Sequence, residues 1–194
     1  QKKVLKQCGL FIVDEEHRFG VENKEKVFQY NPGVNFLSLS ATPIPRSMQL
    51  SLSGVRNFSL IQTPPIARKP IISSLNYFSW DLIKAVVIKE FSRGGQVYFV
   101  DNSVNNLKKM FNKCSVLLPF IKADIIYGSL SGTALTKIMD SFVKGKTRVL
   151  FSTTIIESGI DIGATNTIII NNAHLFGLSQ LYQLRGRVGR SSTQ

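Results

Sequence analysis

Three carboxylates stand together near the start of the chain, directly after an apolar run. Residues 10–13 read LFIV, and Asp14, Glu15, Glu16 and then His17 follow. Adjacent carboxylates repel one another, and burying them is costly unless a partner offsets their charge. A metal ion or a cationic partner would explain the cluster, and so would a solvated turn at the end of a strand. The residues of this stretch alone leave both interpretations open.

Three further polar clusters have residue types that suit phosphate chemistry. They are SAT at 40–42, STTIIESGID at 152–161, and QLRGRVGR at 183–190, in which Arg187 and Arg190 stand three residues apart. On a helix this spacing points both guanidinium groups the same way. Phosphoryl transfer needs one carboxylate that holds Mg²⁺, an acidic residue that orients the attacking water, and arginine that neutralises charge. The four clusters together therefore favour phosphoryl transfer.

The elements that must position these clusters follow a repeated order of apolar run, loop and amphipathic stretch. This order predicts an α/β fold with a parallel sheet and helices on both faces, so that the strands are buried on both sides. Ligands of such sheets bind beyond the carboxyl ends of the strands, where three of the clusters fall. The predicted strands are LFIVDE, NFLSLSAT, IISSLNYF, QVYFV, ADIIYG, TRVLFST and TNTIIINN, and the predicted helices are SWDLIKAVVIKEFSRGG, SVNNLKKMFNKC capped by Ser103, SGTALTKIMDSFVKG and LSQLYQLRGRVGR.

A proline-rich stretch divides the chain. Three prolines between residues 63 and 70 fix their own backbone angles and favour extended forms around them, which is typical of a linker. We therefore expect one structural unit at 1–62, a linker at 63–70 and a second unit at 71–194.

Composition limits the class of protein. Of the 194 residues, 43% are hydrophobic, which favours a packed core over disorder, and no apolar run is long enough to cross a membrane. The two cysteines lack metal-ligand spacing, which indicates a reducing, intracellular setting. The net charge of +12 favours nucleic acid or another anionic partner, but scattered lysines from AT-rich coding would give the same charge.

The motifs, taken together, resemble those of superfamily 2 helicase motors. DEEH is similar to motif II, SAT to motif III, GQVYFV to motif IV, STTIIESGID to motif V and QLRGRVGR to motif VI. Within this superfamily the stretches IVDEEHRFGV, SATPIPRSM and FGLSQLYQLRGRVGRS look most like the transcription-repair coupling factors. RecG-type branch-migration helicases are similar too, although DEQH is expected there. The resemblance implies a RecA-like motor with a partial first domain and a near-complete second domain.

The resemblance also implies roles for individual residues. Asp14 would bind Mg²⁺ through the nucleotide, Glu15 would position the hydrolytic water, and Arg187 and Arg190 would be arginine fingers. Residues that couple nucleotide state to domain movement would be Glu16, His17, Ser40, Thr42 and Gln183. Nucleotide binding would involve Gly159 and Asp161, the latter lining the cleft between the two motor domains with Gln183. Contacts to the DNA backbone would come from Ser129, Ser131, Thr153 and Thr154.

Several of these residues have simpler interpretations. His17 could be an ordinary hydrogen-bonded histidine, and Ser40 and Thr42 could cap the turn before a proline. His174 has no evident partner in the sequence, and Phe176 suits core packing better than stacking on a base.

The function implied by the resemblance is that of an ATP- and Mg²⁺-dependent translocase on double-stranded DNA, which displaces stalled RNA polymerase during transcription-coupled repair. RNA polymerase and excision-repair proteins would bind through regions outside this chain, in the bacterial cytoplasm near the nucleoid and without a membrane. The sequence contains no G-x-x-x-x-G-K-[ST] phosphate loop, so we expect a longer parent protein, but not these 194 residues, to hydrolyse ATP. The alternatives are a RecG-type fork-remodelling helicase and a degenerate motor that only binds nucleic acid.

Overall fold

The chain folds into two compact units, Gln1–Gln62 and Thr63–Gln194, which we call unit 1 and unit 2. The fold comes from a computed structural model, which describes residues 2–15, 19–40, 57, 59–61, 63, 70–153 and 165–189. Of the predicted linker at 63–70, only the two end residues belong to this described part.

Unit 1 contains a small parallel sheet. Its elements are α1 (Lys2–Lys6), β1 (Leu10–Asp14), α2 (Val21–Tyr30) and β2 (Asn35–Leu39). The two strands pair in parallel, with Leu10 opposite Asn35 and Asp14 opposite Leu39. Both predicted strands are therefore present, and α2, which the sequence analysis did not predict, makes the crossover between them.

Among the described residues, side chains cover only one face of the unit 1 sheet. On that face Phe11 and Phe36 stack with ring centroids 5.9 Å apart, and Phe28 of α2 lies 5.4 Å from Phe36. The prediction that these strands are buried on both faces is wrong for the described residues, because the α2 crossover covers a single side. The opposite face exposes four large apolar side chains: Leu10, Ile12, Leu37 and Leu39.

Unit 2 contains a larger sheet that alternates regularly with helices. Its elements are α3 (Trp80–Ser92), β3 (Gln96–Val100), α4 (Val104–Leu117), β4 (Ala123–Ile126), α5 (Gly132–Val143), β5 (Val149–Ser152), β6 (Thr165–Ile170), a 3₁₀ turn (Ala173–Leu175) and α6 (Leu178–Arg185). The strands run parallel in the order β4-β5-β3-β6. The predicted helix start at Ser103 is confirmed, since its Oγ accepts a hydrogen bond from the Asn106 backbone N–H.

Both faces of the unit 2 sheet are packed. On one face Val97 and Phe99 of β3 pack with Leu107 of α4 and Val87 of α3. On the other face Tyr98 of β3 joins a cluster with residues of α5 and the chain after α6. Every residue of β3 and β5 is buried, as expected for central strands of a parallel sheet.

The strand predicted for IISSLNYF does not form. Residues 70–79 lie outside any helix or strand, and Ile72, Leu75 and Tyr77 are each more than nine-tenths exposed. The prediction was wrong because apolar and β-branched residues favour a strand only when a neighbouring strand completes the ladder. In the described residues no strand pairs with this segment.

Candidate functional site

The carboxylates of unit 1 lie where β1 ends. Asp14 is its last residue and is exposed, and its Oδ1 accepts a hydrogen bond of 2.8 Å from the backbone N–H of Glu15. Glu15 has a φ of 54°, a left-handed conformation that residues other than glycine seldom adopt. Such backbone strain occurs preferentially at functional sites and costs on the order of 1–3 kcal/mol. The backbone of this turn is therefore strained at Glu15.

Several predicted site residues lie outside the described part of the chain. Ser40 is described, and it is exposed directly after β2. The residues outside the described ranges are Glu16, His17, Thr42, Thr154, Gly159, Asp161 and Arg190. Their proposed roles stay predictions from the sequence.

In unit 2 a small cleft lies at the carboxyl ends of the central strands. It is lined by Tyr98, Val100, Thr153, Ile168, Leu184 and Arg187. Thr153 directly follows β5 and is 8% exposed, whereas Arg187 follows α6 and is half-buried. Two residues from different sequence motifs thus border one small space, whose volume of about 10 Å³ is too small for a ligand.

The position of Arg187 depends on the residues that follow it. Residues 186–189, which contain Arg187, form a turn that we call the arginine turn. Val188 is 1% exposed and packs with Tyr98 and Phe142, so it anchors this turn in the core. Gly189 has a φ of 69°, and a Cβ there would lie 3.3 Å from Cγ1 of Ile71. The sequence analysis considered only the arginines and missed this anchor. No local pattern marks this valine as buried, because it stands alone between Arg187 and Gly189.

Gln183 lies on α6, the helix that leads to Arg187, and Phe176 lies just before that helix. Gln183 is half-buried on α6, which begins where the backbone N–H of Gly177 donates to Oε1 of Gln180 at 3.0 Å. Phe176 is buried and packs with Val100 and Leu184, which confirms the core interpretation.

The predicted DNA-backbone residues Ser129 and Ser131 are exposed on the loop between β4 and α5. Ser131 caps α5, since its Oγ accepts a hydrogen bond of 3.4 Å from the backbone N–H of Ala134. At the start of the same loop, the ammonium group of Lys108 lies 4.7 Å from the centroid of the Tyr127 ring. This contact places the cation of Lys108 over Tyr127, the residue that begins the loop.

Two further titratable side chains of unit 2 are Cys114, which is buried, and His174, which is exposed. Burial raises the pKa of Cys114 to about 11, so this thiol stays protonated at neutral pH. His174 is exposed on the 3₁₀ turn. Within the described ranges, no three His, Cys, Asp or Glu side chains come together as a metal site, and no helix has the length and apolar character needed to cross a bilayer.

The sheet and the arginine turn together define a RecA-like helicase domain. The family model of the helicase conserved C-terminal domain matches residues 80–192, so the chain belongs to that family. This match confirms the resemblance to helicases and the predicted α/β fold.

Individual relatives with high identity to this chain are transcription-repair-coupling factors. The chain is 46% identical to the transcription-repair-coupling factor of Bacillus subtilis (strain 168) over 189 residues, and 44% identical to that of Escherichia coli (strain K12) over 190 residues. These alignments cover 97% and 98% of this chain but only 16% and 17% of the two coupling factors.

Two solved structures are also similar to this chain. A structure of RecG bound to a three-way DNA junction superposes with a TM-score of 0.67 and 38% identity, covering 94% of this chain and 24% of that one. The Mycobacterium smegmatis helicase Lhr, bound to ssDNA and AMP-PNP, gives a TM-score of 0.72 at 20% identity, over 100% of this chain and 28% of that one. The Lhr likeness supports the fold alone.

Proposed function

We propose that this chain is part of an ATP-dependent translocase on double-stranded DNA, which displaces stalled RNA polymerase in transcription-coupled repair. The observation that carries the proposal is the fold of unit 2, in which residues 80–192 match the helicase conserved C-terminal domain and Thr153 and Arg187 of two helicase motifs lie close together. The identity to transcription-repair-coupling factors supports the choice within the helicases. The motor would act in the cytoplasm near the nucleoid, with RNA polymerase and excision-repair proteins bound by other parts of the longer protein.

The described residues suit the binding of a magnesium nucleotide. When bound, ATP with Mg²⁺ supplies the phosphoryl group that is transferred to water. Asp14 is an exposed carboxylate at a strand end, and carboxylate oxygens are ligands that Mg²⁺ prefers. Because Mg²⁺ keeps several ligands from water and phosphate, one protein carboxylate is enough. Asp14 would hold the metal side of the nucleotide.

Two further residues would act on the transition state. Glu15 would orient the attacking water and receive its proton, and the strained turn would fix its carboxylate in that orientation. Arg187 would neutralise the charge that develops on the transferred phosphoryl group, an effect worth roughly 10³–10⁵ in rate in well-studied enzymes. Val188 would hold that guanidinium in place through its buried side chain.

Double-stranded DNA would bind through its phosphates. Ser129 and Ser131 are exposed and carry hydroxyl groups that suit phosphate contacts, and such contacts position a motor without reading sequence. The net charge of +12 would add attraction that weakens as salt rises. Binding should therefore be independent of sequence and steeply salt-dependent.

The test uses the full-length protein that carries this chain. Glu15→Gln removes the charge of the carboxylate and keeps its shape, so ATP should still bind while turnover falls by about 10³ or more. Glu22→Gln changes an exposed carboxylate in the first turn of α2 and should leave turnover unchanged. If Glu15→Gln kept turnover within about threefold, the carboxylate cluster would be a solvated turn and the proposal would lose its centre. The 194 residues alone should hydrolyse no ATP.

A RecG-type fork-remodelling helicase is the second candidate. The observation in its favour is the 38% identity to the RecG structure bound to a three-way DNA junction. The two candidates differ in their substrates. Release of RNA polymerase from a stalled elongation complex, with little unwinding of a three-way junction, would support the coupling-factor assignment. The opposite preference would support fork remodelling, and DNA binding without any ATP turnover would indicate a degenerate motor.

A further inference from the structure

Asp101 is a buried carboxylate at the carboxyl end of β3 that no ion pair explains. Its side chain is 1% exposed, and in the described part of the chain no lysine or arginine forms a salt bridge with it. A buried charge without a counter-charge is costly unless several N–H groups donate to it. The N–H groups that donate hydrogen bonds to Asp101 therefore identify the segments that its carboxylate connects.

Four N–H donors from two separate segments surround the carboxylate. The backbone N–H of Ser103 donates to Oδ1 at 2.8 Å. Nδ2 of Asn106 and Nδ2 of Asn171 both donate to Oδ2 at 2.6 Å, and Nδ2 of Asn172 lies 3.5 Å from the same oxygen. One carboxylate thus joins the end of β3, the first turn of α4 and the residues that follow β6.

The residues after β6 form the start of the loop that leads to α6. Asn172 adopts the left-handed conformation, with φ 51° and ψ 47°, so the chain reverses sharply there. The backbone N–H of Asn171 donates to the carbonyl of Val100 at 2.9 Å, and Nδ2 of Asn102 donates to the carbonyl of Leu175 at 3.2 Å. The loop is therefore attached to the end of β3 at both of its ends.

This loop also determines where α6 lies. Phe176 at the end of the loop packs with Val100 and with Leu184 of α6. The backbone N–H of Arg187 then donates to the carbonyl of Leu184 at 3.0 Å. A shift of the loop would move Leu184, and with it Arg187, relative to the cleft at the strand ends.

We propose that Asp101 is a positioning residue for Arg187. Its carboxylate fixes the loop 171–177 to the end of β3, and the loop in turn fixes α6 and the arginine turn. The catalytic consequence rests on the proposed ATP-dependent function. A displacement of about 1 Å at a group that stabilises a transition state can lower a rate by about a hundredfold, so the effect should appear in kcat.

The test compares two buried carboxylates near opposite ends of β3, namely Asp101, which follows the strand, and Glu90 of α3. Asp101→Asn leaves one acceptor oxygen where there were two and places an amide N–H₂ among donors. The matched control is Glu90→Gln, since Glu90 is 2% exposed, binds Arg93 and accepts a hydrogen bond from Thr167 at the amino end of β3. In the full-length protein Asp101→Asn should lower kcat for ATP at least about tenfold, with KM within about threefold. Glu90→Gln should lower Tm and leave kcat within about twofold.

A second readout does not depend on ATP. Hydrogen exchange followed by mass spectrometry on residues 1–194 should show amides of 175–187 exchanging at least about tenfold faster in Asp101→Asn, with α3 changed less than about twofold. Uniformly faster exchange throughout unit 2 would overturn the proposal, because the carboxylate would then only stabilise the fold. Equal losses of kcat in Asp101→Asn and Glu90→Gln would overturn it too. An unmodified protein without turnover would refute the proposed function, while the exchange result would still decide the positioning role.

Discussion

The two units of this chain differ in how completely their parallel strands are buried. In unit 2 the parallel strands β3 and β5 are buried at every residue, with helices on both faces. In unit 1 the strands β1 and β2 also pair in parallel and carry similar apolar residues, but one face of their sheet exposes leucine and isoleucine. In the described part of the chain, similar apolar strands are therefore buried only where helices pack on both faces of the sheet.

The comparison has a consequence for stability. Parallel sheets occur almost only with both faces covered, and a sheet of two strands is marginal in water. Unit 2 has its own core, but unit 1 has a half-covered sheet. In the 194-residue chain we therefore expect unit 1, which carries Asp14 and Glu15, to be less stable than unit 2.

The largest expected effect comes from a matched pair of leucines. Leu150 in β5 is 0% exposed, so Leu150→Ala should lower the free energy of unfolding of unit 2 by about 3–4 kcal/mol. Leu37 in β2 is 45% exposed, and Leu37→Ala should cost less than about 1 kcal/mol. Urea unfolding followed by the fluorescence of Trp80, the single tryptophan, measures the first variant, and hydrogen exchange of β1 and β2 measures the second. Equal costs would mean that the two strands are equally buried in solution.

A second comparison concerns how readily the backbone hydrogen bonds of the two sheets open. Amides of β1 and β2 should exchange at least about 100-fold faster than amides of β3 and β5, a difference of roughly 2.7 kcal/mol. Limited proteolysis of the 194-residue chain should accordingly cut unit 1 before unit 2. Similar protection in both sheets would contradict the expected weakness of unit 1.

A third prediction tests the anchor of the arginine turn. Val188→Ala removes two buried methyl groups and should cost about 2 kcal/mol in unit 2. Val143→Ala is the control, because Val143 is 55% exposed at the end of α5 and its truncation should be close to neutral. Thermal unfolding of both variants decides the point, and a neutral Val188→Ala would show that the turn does not need its anchor.

The smallest effect is a difference between two thiols, one in each unit. Cys8 of unit 1 is partly exposed, whereas Cys114 of unit 2 is buried with a pKa raised to about 11. A maleimide at pH 8 should therefore label Cys8 first, since only an accessible thiolate reacts. The same burial makes unit 2 lose stability as pH rises from the ordinary thiol value of 9.0 towards 11, because the unfolded thiol releases its proton first. Cys8→Ser should remove the fast labelling, and fast labelling of Cys114 would contradict its burial.

Much of unit 2 could be predicted from the sequence, because its signals are local. The helix that starts at Ser103 has a capping residue before an amphipathic run, and β3 reads as an unbroken apolar stretch. The prediction for residues 71–78 was wrong because strand formation depends on a partner that no local pattern reveals. Val188 and Asp101 were missed for a related reason. Their importance comes from contacts with distant residues such as Phe142 and Asn171, which single-sequence patterns do not encode.

The left-handed backbone at Glu15 has an evolutionary consequence. Glycine adopts that conformation without penalty, so Glu15→Gly should relieve strain of on the order of 1 kcal/mol while it deletes the carboxylate. Selection for thermal tolerance alone would then push position 15 towards glycine, and selection for turnover would push it back. The residue at this position therefore records which of the two pressures has prevailed in a lineage. Under the proposed function, a glutamate is the residue that selection for turnover favours there.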